Sequence, residues 1–186
     1  MLLLLSALLA ATPAASAPCI VMHSTPAQLA KRGSPLDSLS FKVGKSDVTV
    51  CYGRPSLKGR TMIGGESVPY GKLWRLGANE PTMIHTSGVI MVGNVTLQPG
   101  SYSLYAVPGE KSFDVIVNKS ITQWGQEGNY TDAVKAQELG HTPAKVEALS
   151  SPVETMTFSV TPSAGNATAL VLTWQTTKVT IPLMAM

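Results

Sequence analysis

The feature that most limits how this chain can fold is a period-two alternation of apolar and polar residues in short runs. Leu39, Phe41 and Val43 alternate with Ser40 and Lys42, and Val48, Val50 and Tyr52 alternate with Thr49 and Cys51. Gly44-Lys45-Ser46-Asp47 forms the turn between those two runs. Met83 to Val92 resumes the pattern, with Gly93-Asn94 as a turn before Val95 to Leu97. After Pro99-Gly100, Tyr102, Leu104 and Ala106 share one side as far as Pro108-Gly109. Phe113, Val115 and Val117 follow. Four more runs are expected, over Thr142–Leu149, Val153–Thr161, Ala167–Trp174 and Lys178–Leu183. Met156, Phe158 and Val160 share a face in the second of these, and Leu170, Leu172 and Trp174 in the third. Alternation of this kind marks strands with one buried face. The intervening stretches are too short or too glycine-rich for crossover helices. The expected fold is therefore all-β, an antiparallel β-sandwich or open barrel with long loops. One short helix is expected over Asp132–Leu139, capped by Thr131 and stopped by Gly140.

At 186 residues the chain suits one domain of ordinary size. Its charged fraction of 13% is about half the usual quarter, so Ser, Thr, Asn, Gln and Gly must cover much of the surface. The net charge is only +3, and no run of cations is long enough for a nucleic-acid footprint. Residues 1–17 have the pattern of a secretory signal: an apolar Leu2–Ala11 too short to span a bilayer, then Ala15-Ser16-Ala17 as small residues for cleavage. Residues 18–34 are expected to be a polar leader, and 35–184 a single β domain. A secreted or periplasmic location follows, with no membrane span once the signal is removed. Export would allow Cys19 and Cys51 to pair. The bridge would close a loop of about 33 residues, worth roughly 3–4 kcal/mol. The alternative leaves Cys19 in a loose tail and Cys51 as a buried thiol. Pro18 directly before Cys19 argues against a lipid anchor there.

The function-bearing stretch is Cys51 to Glu80. It carries Arg54, Lys58, Arg60, Lys72 and Arg75 against only Glu66 and Glu80, and Tyr52, Tyr70 and Trp74 lie among the cations. Gly53, Gly59, Gly64, Gly65, Gly71 and Gly77, with Pro55 and Pro69, rule out a regular element, so the stretch is expected to form loops. Guanidinium groups suit bidentate capture of carboxylate, sulfate or phosphate. Aromatic rings can stack on a ligand or on the guanidinium groups themselves. The candidate ligand-binding set is Tyr52, Arg54, Lys58, Arg60, Tyr70, Trp74, Arg75, Asn79 and Glu80, and its ligand a small anion or carbohydrate. The competing reading is structural: Glu66 and Glu80 neutralise two arginines and Trp74 plugs the end of the sandwich.

The run YGRPSLKGRTMIGG…VPYGKLWRLGANEPT resembles the signature of the DUF2911 family of predicted secreted bacterial proteins. Ser34-Pro35-Leu36-Asp37, LQPGSYSLYAVPG, NKSITQWG and ALVLTWQTTKVTIPL are also similar, and together they span about Ser34 to Leu183. The resemblance implies one export-directed domain and no defined chemistry. This chain has His141 where such sequences often carry a basic residue after a Leu-Gly pair.

Catalytic signatures are sparse. There is no GxSxG elbow, no phosphate-cradling GxxxxGK[ST] and no GxGxxG. His23, His85 and His141 lack metal-ligand spacing, and neither a metal nor a cofactor is expected. The enzyme alternative would use Glu80 as acid or base, with Arg54, Arg60 and Arg75 stabilising negative charge. A third reading is a partner-binding module offering an edge strand.

Overall fold

The computed structural model describes residues 17–186; the signal expected over 1–17 lies outside them apart from Ala17. Among the described residues, nine strands form one antiparallel sheet that does not close into a barrel. They are β1 (Leu36–Val43), β2 (Ser46–Gly53), β3 (Thr82–Thr86), β4 (Ile90–Val92), β5 (Val95–Leu97), β6 (Gly100–Val107), β7 (Ser112–Asn118), β8 (Glu138–Val160) and β9 (Ala167–Ala185). The spatial order is β1-β2-β3-β6-β7-β8-β9-β4-β5. Short turns make the β1–β2, β4–β5 and β6–β7 hairpins. Gly44 occupies the left-handed region at φ 59° in the first of them.

The four runs expected between Thr142 and Leu183 are two long strands. β8 and β9 pair in two halves, Lys145–Ala148 with Thr177–Thr180 and Thr157–Val160 with Leu170–Thr173, with register shifts between. Gln175, at φ 54°, bends β9 at that shift. Sequence alternation breaks at a bulge much as it does at a turn, which is why each bent strand resembles two. The bend brings the far halves of β8 and β9 over the inner face of β2. Tyr52 meets Phe158 edge-on at 4.8 Å, and both belong to the single core that includes Leu104, Val115, Leu172 and Ile181. Loop residue Ser56 bridges Thr155 on β8, tying the loop after β2 to the bend of that strand.

Helix is minor. The expected helix near Asp132 is cut to α2 (Asp132–Lys135), because the chain joins β8 at Glu138 and Gly140 lies inside that strand. Thr131 caps it through Val134 N–H. A second four-residue helix, α1 (Pro26–Leu29), closes with a Thr25–Gln28 capping box. It sits in an arm, residues 17–34, that is joined to β2 by a Cys19–Cys51 disulfide.

The outer face of β6 and β7 is covered too. Ser103 and Tyr105 are buried beneath the loop that follows β7. Gln123 Nε2 donates to Tyr105 Oη at 3.0 Å, and Tyr130 packs edge-on against Tyr105. Burial pushes the Tyr105 phenol up to about 12. Tyr130 donates to Glu138 Oε1 at 2.7 Å. Beside it His141 lies between Asp114 Oδ2 (2.7 Å) and Glu138 Oε2 (3.0 Å). Only the imidazolium can donate from both ring nitrogens, and those two hydrogen bonds raise its pKa above 6.5. Burial opposes ionisation of Glu138, but hydrogen bonds from Tyr130 and His141 outweigh it and hold its pKa below 4.5.

Two outcomes are expected. Cys19→Ser should lower the unfolding free energy by about 3 kcal/mol through lost loop constraint while the sheet still folds; urea denaturation followed by circular dichroism checks it. The His141 network should stabilise the fold most between about pH 4.5 and 6.5. Its histidine contribution is complete below 6.5 and lost as pH rises through the raised folded value. Its Glu138 contribution is complete above 4.5 and lost as pH falls through the lowered folded value. Melting temperatures between pH 6 and 8 should therefore fall more for the unmodified protein than for His141→Gln, an order-of-magnitude test of sign.

Candidate functional site

The loop between β2 and β3 is pinned to the sheet at three places. Near its start, Met156 N–H donates to Pro55 O and Leu57 N–H donates to Glu154 O, both at 2.9 Å, extending β2 along the bend of β8. In its middle, Met62 N–H donates to Gln175 Oε1. Near its end, Trp74 exchanges two backbone hydrogen bonds with Ala106 on β6, both 2.8 Å. The Trp74 ring is buried, stacked on Trp174 (6.0 Å, 18°) and edge-on to Phe113, and its Nε1–H donates to Gly77 O. Gly53 lets the two ends of the loop touch: a Cβ there would lie 1.8 Å from Ala78 O.

These anchors leave a cavity of about 210 Å³ lined by Arg60, Trp74, Arg75, Trp174, Ser34 and Ser67 together with apolar and backbone groups. No carboxylate lines it. Arg60 uses Nε and Nη2 on the carbonyls of Leu57 and Ser56, which aims the guanidinium while leaving further N–H groups to donate. Arg75 spends Nη1 on Glu127 Oε1 at 2.9 Å. Among the described residues, three buried side-chain polar atoms lack a hydrogen-bond partner, and two of them, Arg75 Nε and Trp174 Nε1, belong to residues of this wall. Buried donors without partners are rare enough in native proteins to need a reason.

Backbone strain gathers at the same place. Among the described residues, four non-glycine positions have positive φ: Lys58 (49°), Leu76 (53°), Asn79 (65°) and Gln175 (54°). Each lies within two positions of a wall residue. A fully buried, bulky Leu76 in that region is costly, on the order of 1–3 kcal/mol, and such strain collects at ligand clamps and active sites.

The structure brings together Arg60, Trp74 and Arg75 and parts them from the other candidates. Arg54 donates to Met156 O and Thr157 Oγ1 and sits 3.5 Å from Asp37. Tyr52 is sealed in the core, donating to Asp37 Oδ2 and accepting from Phe158 N–H. Burial raises its phenol pKa, against the opposing hydrogen bond from Phe158 N–H. Lys58 and Tyr70 are exposed. Asn79 donates to Ser34 O. Glu80 accepts two 2.6 Å hydrogen bonds from Arg32 and does not line the cavity. The acid–base alternative that joins Glu80 to Arg54, Arg60 and Arg75 therefore has no carboxylate among the wall residues. Glu80 is neutralised, as the structural reading expected, but by Arg32 of the arm; among the described residues Glu66 makes no ion pair.

Sequence reasoning missed Trp174, Gln175 and Arg32. Trp174 looked like one more core position on an alternating face; the polar Gln175-Thr176-Thr177 directly after it was the available sign of a bend beside a loop. Arg32 follows Lys31 in a segment with no acidic residue before Asp37, so its partner had to be distant. Among the described residues no group of three or more His, Cys, Asp or Glu side chains could hold a metal ion, and no helix is long and apolar enough to cross a membrane.

Gly53→Ala should force the Gly77–Ala78 segment away and cost about 1–3 kcal/mol. Gly33→Ala, where an added Cβ meets nothing within 4 Å, should leave stability within about 0.5 kcal/mol. Parallel urea titrations check the pair.

Searches of curated proteins and of solved structures return no significant match. A family model does match, described as a protein of unknown function, DUF2911, over residues 34–183. That span covers β1 through the pairing segment of β9, together with the whole Cys51–Glu80 loop, and the chain belongs to the DUF2911 family.

Proposed function

We propose that this chain is an exported binding domain that holds a small anionic or sugar-like ligand in the Arg60–Arg75 cavity. The observation that carries the reading is the composition of the wall: Arg60 with no ion pair, Arg75 with one of its nitrogens on Glu127, and two serine hydroxyls, with no carboxylate among the lining residues. Such a wall favours a ligand rich in acceptors, and one bearing negative charge most of all. Trp74 and Trp174, buried and stacked on each other, make the floor of the cavity rigid. A volume of about 210 Å³ is below the roughly 300–1,000 Å³ of drug-sized pockets, which suits a monosaccharide or small acid rather than a larger ligand. Export is supported by the apolar Leu2–Ala11 segment with its small residues at Ala15-Ser16-Ala17, and by the Cys19–Cys51 pair, which suits an oxidising compartment.

Arg60 is the residue to change first, because its contacts are local carbonyls and its guanidinium is exposed. In a thermal-shift and calorimetric panel of uronic acids, sugar phosphates, small carboxylates and neutral sugars, acidic members should raise the melting temperature of the unmodified protein. Arg60→Ala should weaken their binding about tenfold or more, the loss of one charge-assisted hydrogen-bonding partner, while shifting stability by less than about 0.5 kcal/mol. A panel without any binder, or a variant that binds as well as the original, sinks the proposal.

A further inference from the structure

Glu80 sits inside the family domain, and the cation that neutralises it comes from the arm before that domain. Arg32 Nη1 donates to Glu80 Oε2 and Nη2 to Oε1, both at 2.6 Å, a two-pronged fork in which side-chain exposure is 9% for Arg32 and 12% for Glu80. The guanidinium carbon lies 5.8 Å from the centre of the Trp124 ring. Ser24, also in the arm, takes a further hydrogen bond from Nη2. Arg32 is thus met by a carboxylate on one side and an aromatic ring on another, the two groups that recognise a planar cation: the fork matches two carboxylate oxygens and the ring face attracts the charge.

The rest of the arm is weakly held. None of residues 17–34 is fully buried. Its attachments are the Cys19–Cys51 bridge, an edge-on contact of His23 with the Trp124 ring at 5.6 Å, and polar contacts, including His23 Nε2 with Thr122 O and Asn79 Nδ2 with Ser34 O. Gly33, directly after Arg32, is exposed, with open space around it. Segments with few buried apolar contacts open locally at low free-energy cost. The family match begins at residue 34, so Glu80 and Trp124 belong to the domain while Arg32 does not.

We propose that Glu80 and Trp124 form a guanidinium-binding site, and that Arg32 fills it in cis as a tethered, displaceable occupant. The external ligand is a guanidinium group, carried either by a small molecule or by an arginine-bearing peptide. This site is separate from the Arg60–Arg75 cavity, which Glu80 does not line, and stands or falls without it.

The test uses the full chain with its disulfide intact and Arg32→Ala. That variant should melt lower than the original. Butylguanidinium should restore the melting temperature and, by calorimetry, bind at least about tenfold tighter than butylammonium, which carries the charge without the fork. Adding Glu80→Gln should abolish the response. A synthetic peptide with the sequence of residues 22–34 separates the two sources. Binding about tenfold tighter than butylguanidinium assigns a peptide ligand, and equal binding assigns a small guanidinium compound. Should Arg32→Ala not fold, hydrogen exchange on the unmodified chain replaces it: butylguanidinium should speed exchange of the amides from Ser24 to Arg32, and should not do so in Glu80→Gln. A folded Arg32→Ala protein that binds neither probe, or exchange rates indifferent to butylguanidinium, overturns the proposal.

Discussion

The shape of the long β2–β3 loop depends on Trp74 being a core residue. A loop of this length and glycine content would ordinarily sample many conformations, and its ordering is entropically expensive. Trp74 offsets that cost by joining three kinds of contact at one position: a backbone pair with Ala106, a stacked ring on Trp174 and an indole hydrogen bond to Gly77 O. The loop is thereby divided into two shorter segments, each tied at both ends. Arg75 and Gly77, one and three positions on, inherit fixed places. The arginine therefore reaches its side of the cavity from a buried anchor rather than from a free loop tip.

The same anchor explains why strain is tolerated. Leu76 at φ 53° follows directly after Arg75, and its side chain is fully buried. A leucine released from the core would relax to an ordinary conformation. It is held because Thr82 Oγ1 donates to Leu76 O, Thr82 N–H donates to Arg75 O, and Ala78 N–H donates to Gly53 O. The strain and the hydrogen bonds form one unit, and Gly53 is where the unit would fail, since no side chain fits between it and Ala78. Conformations this constrained are usual where side chains must be presented in a fixed geometry.

Much of the fold was legible because alternation reports burial directly. Val48-Val50-Tyr52, Tyr102-Leu104-Ala106 and Leu170-Leu172-Trp174 all face the core, as period two requires. The reading weakened where a second layer covered the sheet: Ser103 and Tyr105 fall on the face that alternation assigns to solvent, and they are buried by Gln123 and Tyr130. Within the site, the sequence marked out Arg60, Trp74 and Arg75 by their crowding among glycines. It could not separate them from Arg54 and Glu80, because a side chain's partner is set by three-dimensional neighbours. Asp37 and Thr157 claim Arg54, and Arg32 claims Glu80, from 17 to 103 positions away.

How the charges are shared out separates two kinds of cation within one loop. Arg54 lies against Asp37, Arg75 against Glu127, and the acid Glu80 is consumed by Arg32. Among the described residues Arg60 makes no ion pair, and its two protein acceptors are uncharged carbonyls. Carbonyl acceptors orient a guanidinium without neutralising it, so its field remains available to whatever enters the cavity. Glu66, the loop's other acid, is exposed and pairs with none of these cations. Lys58 and Lys72 are exposed and also make no ion pair among the described residues, but neither lines the cavity, so the positive charge there comes from Arg60 and, in part, from Arg75. An anion entering there would meet one guanidinium that no carboxylate of the described residues pairs.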